Sequence, residues 1–119
     1  MKLALSSTGP DLDSPLDPRF GRARYLLIVD GADQAVFAID NEAGVKAAQG
    51  AGIQAAQSLI DHGARALITG HCGPKAFAVL ATAGIDVYLA SGGTVAEAVS
   101  RYKAGALQQQ LESHGDDHR

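Results

Sequence analysis

The chain has 119 residues, 46% of them apolar, a mean hydropathy of +0.01 and a formal net charge of −3, which is enough for one domain whose core needs no disulfide or structural metal. The mild acidity speaks against a nucleic-acid-binding surface, and no apolar run approaches the roughly 20 residues that span a bilayer. The single cysteine excludes an internal disulfide and a cluster held by several thiolates of one chain.

The N-terminus lacks the basic region, long apolar segment and cleavage pattern of a secretion signal, so a cytoplasmic location is expected. Lys2–Ser7 reads as a strand, and Ser7-Thr8-Gly9-Pro10 ends it with strong turn signals. The loop Thr8–Pro18 is long for a compact domain, and such loops are often functional. Arg19-Phe20-Gly21-Arg22-Ala23-Arg24 follows, with three arginines in six residues. Tyr25–Asp30 is a strongly apolar strand. Gly31-Ala32-Asp33 reads as a tight turn and Gln34–Asp40 as the hairpin partner, with Asn41–Gly50 as a connection. Ala51–His62 places Ile53, Ala56, Leu59 and Ile60 at helical spacing, with Gly63 as its C-terminal cap. Arg65–Thr69 is the next strand. Pro74–Ala83 is a helix with Phe77, Leu80 and Ala81 on one face, stopped by Gly84. Ile85–Ala90 is a strand, and Thr94 with Glu97 forms a capping box. Val95, Ala98, Val99 and Tyr102 then mark the buried stripe of a helix ended by Gly105. The polar segment Gln108–Arg119, with His114 and His118, is expected to fray. Residues 1–105 thus form one domain and 106–119 a flexible tail.

The alternating second half demands parallel strands with right-handed crossovers. A mixed five-stranded sheet with three helices satisfies the pattern. With the first strand central, three glycine-bearing loops meet at one edge: Ser6-Ser7-Thr8-Gly9, Gly70-His71-Cys72-Gly73 and Ser91-Gly92-Gly93-Thr94. Ligands of open α/β sheets bind at such an edge. The middle loop, Thr69–Lys75, holds the lone cysteine and leads through Pro74 into a helix.

The chain resembles the dinitrogenase iron-molybdenum cofactor biosynthesis family. The likeness is carried by Pro18-Arg19-Phe20-Gly21-Arg22-Ala23, Thr69-Gly70-His71-Cys72-Gly73-Pro74-Lys75-Ala76-Phe77, Ala83-Gly84-Ile85-Asp86-Val87-Tyr88 and Gly93-Thr94-Val95-Ala96-Glu97-Ala98, in that order. It implies a ribonuclease H-like fold with strand order 3-2-1-4-5, but no nuclease activity. Such a nuclease needs converging carboxylates, whereas Lys2–Ser7 has none and the helix Ala51–His62 has only Asp61. The family includes accessory proteins that carry the nitrogenase cofactor or its precursors, and many small stand-alone proteins of unassigned role. Small orange-protein-like members carry a molybdenum–copper sulfide cluster without covalent attachment.

The expected function is therefore a non-enzymatic, cytoplasmic carrier of a molybdenum-containing or iron–sulfur cluster, acting as a monomer or weak dimer and delivering to protein partners. A metal-free scaffolding or regulatory module is the alternative. An enzyme with Cys72 as nucleophile and His71 as base ranks last, since direct neighbours rarely reach the required hydrogen bond. Cys72 and His71 are the candidate metal ligands. For Cys72, a helix N-terminus would favour the thiolate; the other reading is a buried packing residue. For His71 the other reading is an exposed loop histidine. Arg19 and Arg22 are candidates to neutralise an anionic cargo, against salt bridging to Asp11, Asp13 or Asp17, and Phe20 to cover it, against anchoring in the core. Arg24 reads as structural, and Lys75 as a solvated cation in a first helical turn. Ser7, Thr8, Gly70, Gly73, Ser91, Gly92 and Gly93 complete the expected lining.

Overall fold

The computed structural model describes residues 1–31, 35–47 and 49–111. The strands are β1 (Lys2–Ser7), β2 (Tyr25–Asp30), β3 (Val36–Asp40), β4 (Ala66–Thr69), β5 (Asp86–Leu89) and β6 (Gln108–Gln110). The helices are α1 (Glu42–Lys46), α2 (Ala51–Asp61), α3 (Pro74–Thr82) and α4 (Val95–Lys103). They form one sheet in the order β3-β2-β1-β4-β5-β6. β1 pairs parallel with β4, and β4 with β5, while the β1–β2, β2–β3 and β5–β6 pairs are antiparallel. No helix among the described residues is long and apolar enough to cross a membrane.

Side-chain alternation divides the central strands between two cores. Leu3, Leu5, Leu27, Val29 and Ile68 face α4, where Val95, Ala98 and Val99 close the layer. Ala4, Leu26, Ile28, Leu67 and Val87 face α2 and α3 and meet Ala55, Ala56, Leu59, Ala76 and Leu80. A sheet covered on both faces favours such near-continuous apolar strands. Small residues set the α2–α3 distance: a methyl group on Gly52 would stand 3.2 Å from Cβ of Ala76.

The expected strand order holds, with two additions. A sixth strand, β6, pairs Gln108, Gln109 and Gln110 with Leu89, Tyr88 and Val87. Thus the tail expected from residue 106 is ordered through Gln110; residues 112–119, with His114 and His118, lie outside the described residues. Gly105, at φ 72°, closes α4 and reverses the chain, and a strand stabilised by backbone pairing needs no apolar signal. A fourth helix, α1, occupies part of the expected connection. Asp40 Oδ1 accepts the Glu42 N–H at 2.9 Å, and Glu42 pairs with Lys46 at 2.9 Å. The buried stripe of α2 is Ala51, Ala55, Ala56 and Leu59, and Ile53 is exposed at 42%. On α3, Ala76 and Leu80 are buried, whereas Ala81 is exposed. The expected turn at Gly31-Ala32-Asp33 and residue Gln34 lie largely outside the described residues.

The long loop is strapped down. Leu16 N–H bonds Gly93 O at 3.0 Å, while Val95 and Ala96 N–H bond Ser14 O and Leu12 O, each at 2.9 Å. Asp17 N–H bonds Ser6 O at 2.9 Å, and Ser6 Oγ bonds Asp17 O at 2.6 Å and Thr69 Oγ1 at 2.7 Å. These buried groups satisfy one another, which burial of polar atoms requires. Beyond Asp17 the chain crosses α2, and a methyl on Gly21 would fall 2.6 Å from the backbone nitrogen of Gly52. Gly21→Ala therefore forces the loop off the helix, and a loss of about 1–3 kcal/mol is expected in urea unfolding; wild-type stability would contradict this packing.

Cys72 is fully buried in the α2–α3 core. Burial pushes its thiol pKa from 9.0 up to about 12. A raised folded pKa means that the unfolded chain releases its proton first as pH rises. The thiol's contribution to stability is complete below pH 9 and is lost between 9 and about 12. Cys72→Ala should flatten that alkaline decline in a pH series of unfolding curves; an unchanged slope would count against it. A thiol reagent should label the native protein only as fast as it unfolds.

Candidate functional site

An open cleft of about 530 Å³ lies where α2 and α3 begin, within the size range of small-ligand sites. Its walls come from three segments. The loop after the strap supplies Arg19, Phe20, Gly21 and Arg22; the start of α2 supplies Gly50 to Ile53; the exit of β4 and start of α3 supply His71 and Gly73 to Ala76. A parallel backbone bridge between Arg19 and His71 joins the first and third. Asn41 steadies the first from below, its amide donating to Gly21 O at 3.1 Å and Ala23 O at 2.8 Å.

The electrostatics of the lining are one-sided. Arg19, Arg22 and Lys75 face the cleft and, among the described residues, no carboxylate lines it, although the chain carries a net charge of −3. Neither α2 nor α3 has a side-chain cap: Gly50, at φ 81°, and Gly73 hold the N-cap positions. Uncapped first-turn N–H groups and the helix dipole favour an anion there. The start of α4 is sealed instead. Thr94 and Glu97 form a capping box, and Val95 and Ala96 N–H are taken by the strap. Arg19 is paired with buried Asp17, Nε to Oδ1 at 3.3 Å, yet 66% of its side chain is exposed. The hydrogen bonds and charge of Asp17 raise its pKa. Arg22 anchors to Ala47 O at 2.6 Å through Nη1.

Of the residues expected to form the site, Arg19, Phe20, Arg22, His71 and Gly73 meet in the cleft. Phe20 also does what the alternative reading gave it, since it is buried in the core. Gly70 does not face open space: a methyl there would stand 2.7 Å from Cα of Pro18, so this glycine admits the loop rather than a ligand. Ser7 is buried and bonds Gly9 O at 2.7 Å, and Thr8 Oγ1 bonds Pro15 O at 3.2 Å. Both hydroxyls belong to the strap. Ser91, Gly92 and Gly93 are exposed near the start of α4 and do not line the cleft. The strap separates the loops that were expected to meet.

Cys72 is fully buried, does not line the cleft, and burial pushes its thiol pKa up to about 12, which favours the packing reading over the thiolate one. His71 is exposed and lines the cleft, so the two neighbours point opposite ways. Arg24 lies outside, bonded to Asp40 and stacked over Tyr25 at 4.7 Å. Hydrogen bonding to Arg24 lowers the Asp40 pKa. The start of α2 was placed correctly at Ala51 in the sequence, but it was not among the residues expected to line the site. Its signal was Gly50-Ala51-Gly52, a helix start with no Ser, Thr, Asp or Asn in the cap position.

Comparisons with known proteins bear on this geometry. The profile of the family described as dinitrogenase iron-molybdenum cofactor matches residues 1–105. The apo form of the orange protein from Desulfovibrio gigas is similar at 43% identity over 95% of each chain, with a TM-score of 0.91. A Thermotoga protein described as NifB, solved by NMR, is similar at 35% identity over 96% of this chain and 98% of that one, with a TM-score of 0.82. An uncharacterised protein of Methanocaldococcus jannaschii is 32% identical over 112 residues, 92% of this chain and 91% of its own length. With a profile match over residues 1–105 and two similar solved structures sharing its fold, the chain belongs to the dinitrogenase iron-molybdenum cofactor family.

Proposed function

We propose that the protein is a non-enzymatic carrier of an anionic metal–sulfur cluster, seated in the cleft between the starts of α2 and α3. The observation that carries this reading is the cleft's lining among the described residues: three cations and no carboxylate, beside two helix starts without side-chain caps. Helix N-termini and guanidinium groups stabilise an anion with no bond to its metal. The cargo is the iron-molybdenum cofactor, a precursor of it, or a molybdenum–copper sulfide cluster. Family membership and the likeness to the orange protein and to the Thermotoga protein support that class.

The donor set favours a cluster that brings its own sulfide. The only thiol is buried away from the cleft, so a cluster needing protein thiolates fits poorly. His71 is the one imidazole on the lining among the described residues and is the proposed direct ligand, should the cargo have an open metal position. Burial of Cys72 also removes the nucleophile from the enzymatic alternative. The open mouth suits a carrier that must pass its cargo to a partner protein.

Reconstitution with tetrathiomolybdate and copper should give a chromophore that survives desalting and weakens as salt is raised, because the attraction is between charges near the surface. Arg22→Gln should weaken uptake by about tenfold, the scale of one lost hydrogen bond to a charged group. Cys72→Ala should leave uptake unchanged. No chromophore in the wild type, or its loss in Cys72→Ala with the fold intact, would overturn this assignment.

A further inference from the structure

The cleft contains a charge relation that its lining alone does not reveal. Asp17 is 3% exposed and stands directly behind Arg19. Its Oδ1 accepts the Arg19 backbone N–H at 2.9 Å and Nε–H at 3.3 Å, and its Oδ2 accepts Nη2–H at 3.4 Å. The carboxylate thus grips one edge of the guanidinium. The rest of Arg19 is left in the cleft wall beside His71, to which its backbone is bridged. Asp17 itself cannot follow a moving arginine. Its N–H bonds Ser6 O and its C=O accepts Ser6 Oγ, which also bonds Thr69. The grip is therefore anchored to β1 and β4, the middle of the sheet.

We propose that Asp17 is a positioning residue that holds the Arg19 guanidinium toward an anion in the cleft. This rests on the reading that the cleft takes an anionic cargo. Arg19 is two-thirds exposed, and without the grip it would sample many rotamers and lose entropy on meeting a ligand. With it, the outward edge of a planar fork is presented ready-made, the property that distinguishes arginine from lysine at such sites.

Asp17→Asn separates positioning from charge. Asparagine keeps the Oδ1 acceptor but puts an NH2 donor where Oδ2 faced Nη2, so the guanidinium edge is repelled. Removing a negative charge near the cleft should by itself tighten anion binding; weaker binding can then come only from lost positioning. Calorimetric titration with tetrathiomolybdate should show Asp17→Asn weaker than wild type by about fivefold, and no such loss when Asp17→Asn is added to Arg19→Gln. Binding as tight as or tighter than wild type in Asp17→Asn, or an equal loss in both backgrounds, would overturn the proposal. A second readout needs no ligand. The Arg19 Nε–H resonance should exchange slowly with solvent in the wild type and quickly in Asp17→Asn, with β1 and β4 amides unmoved. Exchange as fast in the wild type as in an unfolded chain would also overturn it. If the wild type takes up no probe, the cargo reading fails, while the resonance still decides whether Asp17 holds Arg19.

Discussion

The hydroxyl pair of Ser6 and Thr69, 2.7 Å apart and fully buried, is the constraint on which the site depends. The two residues sit near the C-terminal ends of adjacent parallel strands, where backbone pairing runs out. Ser6 Oγ bonds the backbone of Asp17, and this fixes where the long loop lands. Hydrophobic burial builds the two cores, but it is non-directional and cannot set a loop's register. The buried hydrogen bonds can, because leaving any one unmade costs about 1–3 kcal/mol.

That landing point decides the chemistry of the sheet edge. The strap takes up the Val95 and Ala96 N–H groups at the start of α4 and bridges that start to the end of β1. Past Asp17 the same chain is directed across the starts of α2 and α3, where glycines permit contact: Gly70 against Pro18 and Gly21 against Gly52. The loop thus closes one half of the edge and supplies arginines to the other. The result is a positive cleft on a protein whose overall charge is negative. The field an anion meets is set by these local groups more than by the distant carboxylates, which salt screens.

Much of the fold was legible because it rests on patterned burial. β1, β2, β4, α4 and the helix-ending glycines announce themselves through apolar runs, spacing and the Thr94–Glu97 capping box. β6 was hidden because three glutamines join an edge through backbone pairing and a Gln110 side-chain bond to Cys72 O, neither of which leaves an apolar pattern. α1 was hidden because its start depends on Asp40, a residue already assigned to a strand. At the edge, topology alone pointed to the end of the sheet where the cleft opens, with all three strand exits read as open. Which of them the strap would cover was set by contacts distant in sequence, such as Leu16 with Gly93. Cys72 kept two readings for a related reason: a cysteine next to a helix start suggests a thiolate, and only packing shows that the side chain turns inward.

The central claim is that an anionic cluster rests between the starts of α2 and α3, and not over the exits of β1 and β5. The most direct measurement is mapping of backbone amide shifts by NMR as tetrathiomolybdate and copper are added. The account predicts perturbations concentrated at residues 19–22, 50–53 and 71–76, the three walls of the cleft. Perturbations centred instead on Ser7, Thr8 and Ser91 to Thr94 would contradict it.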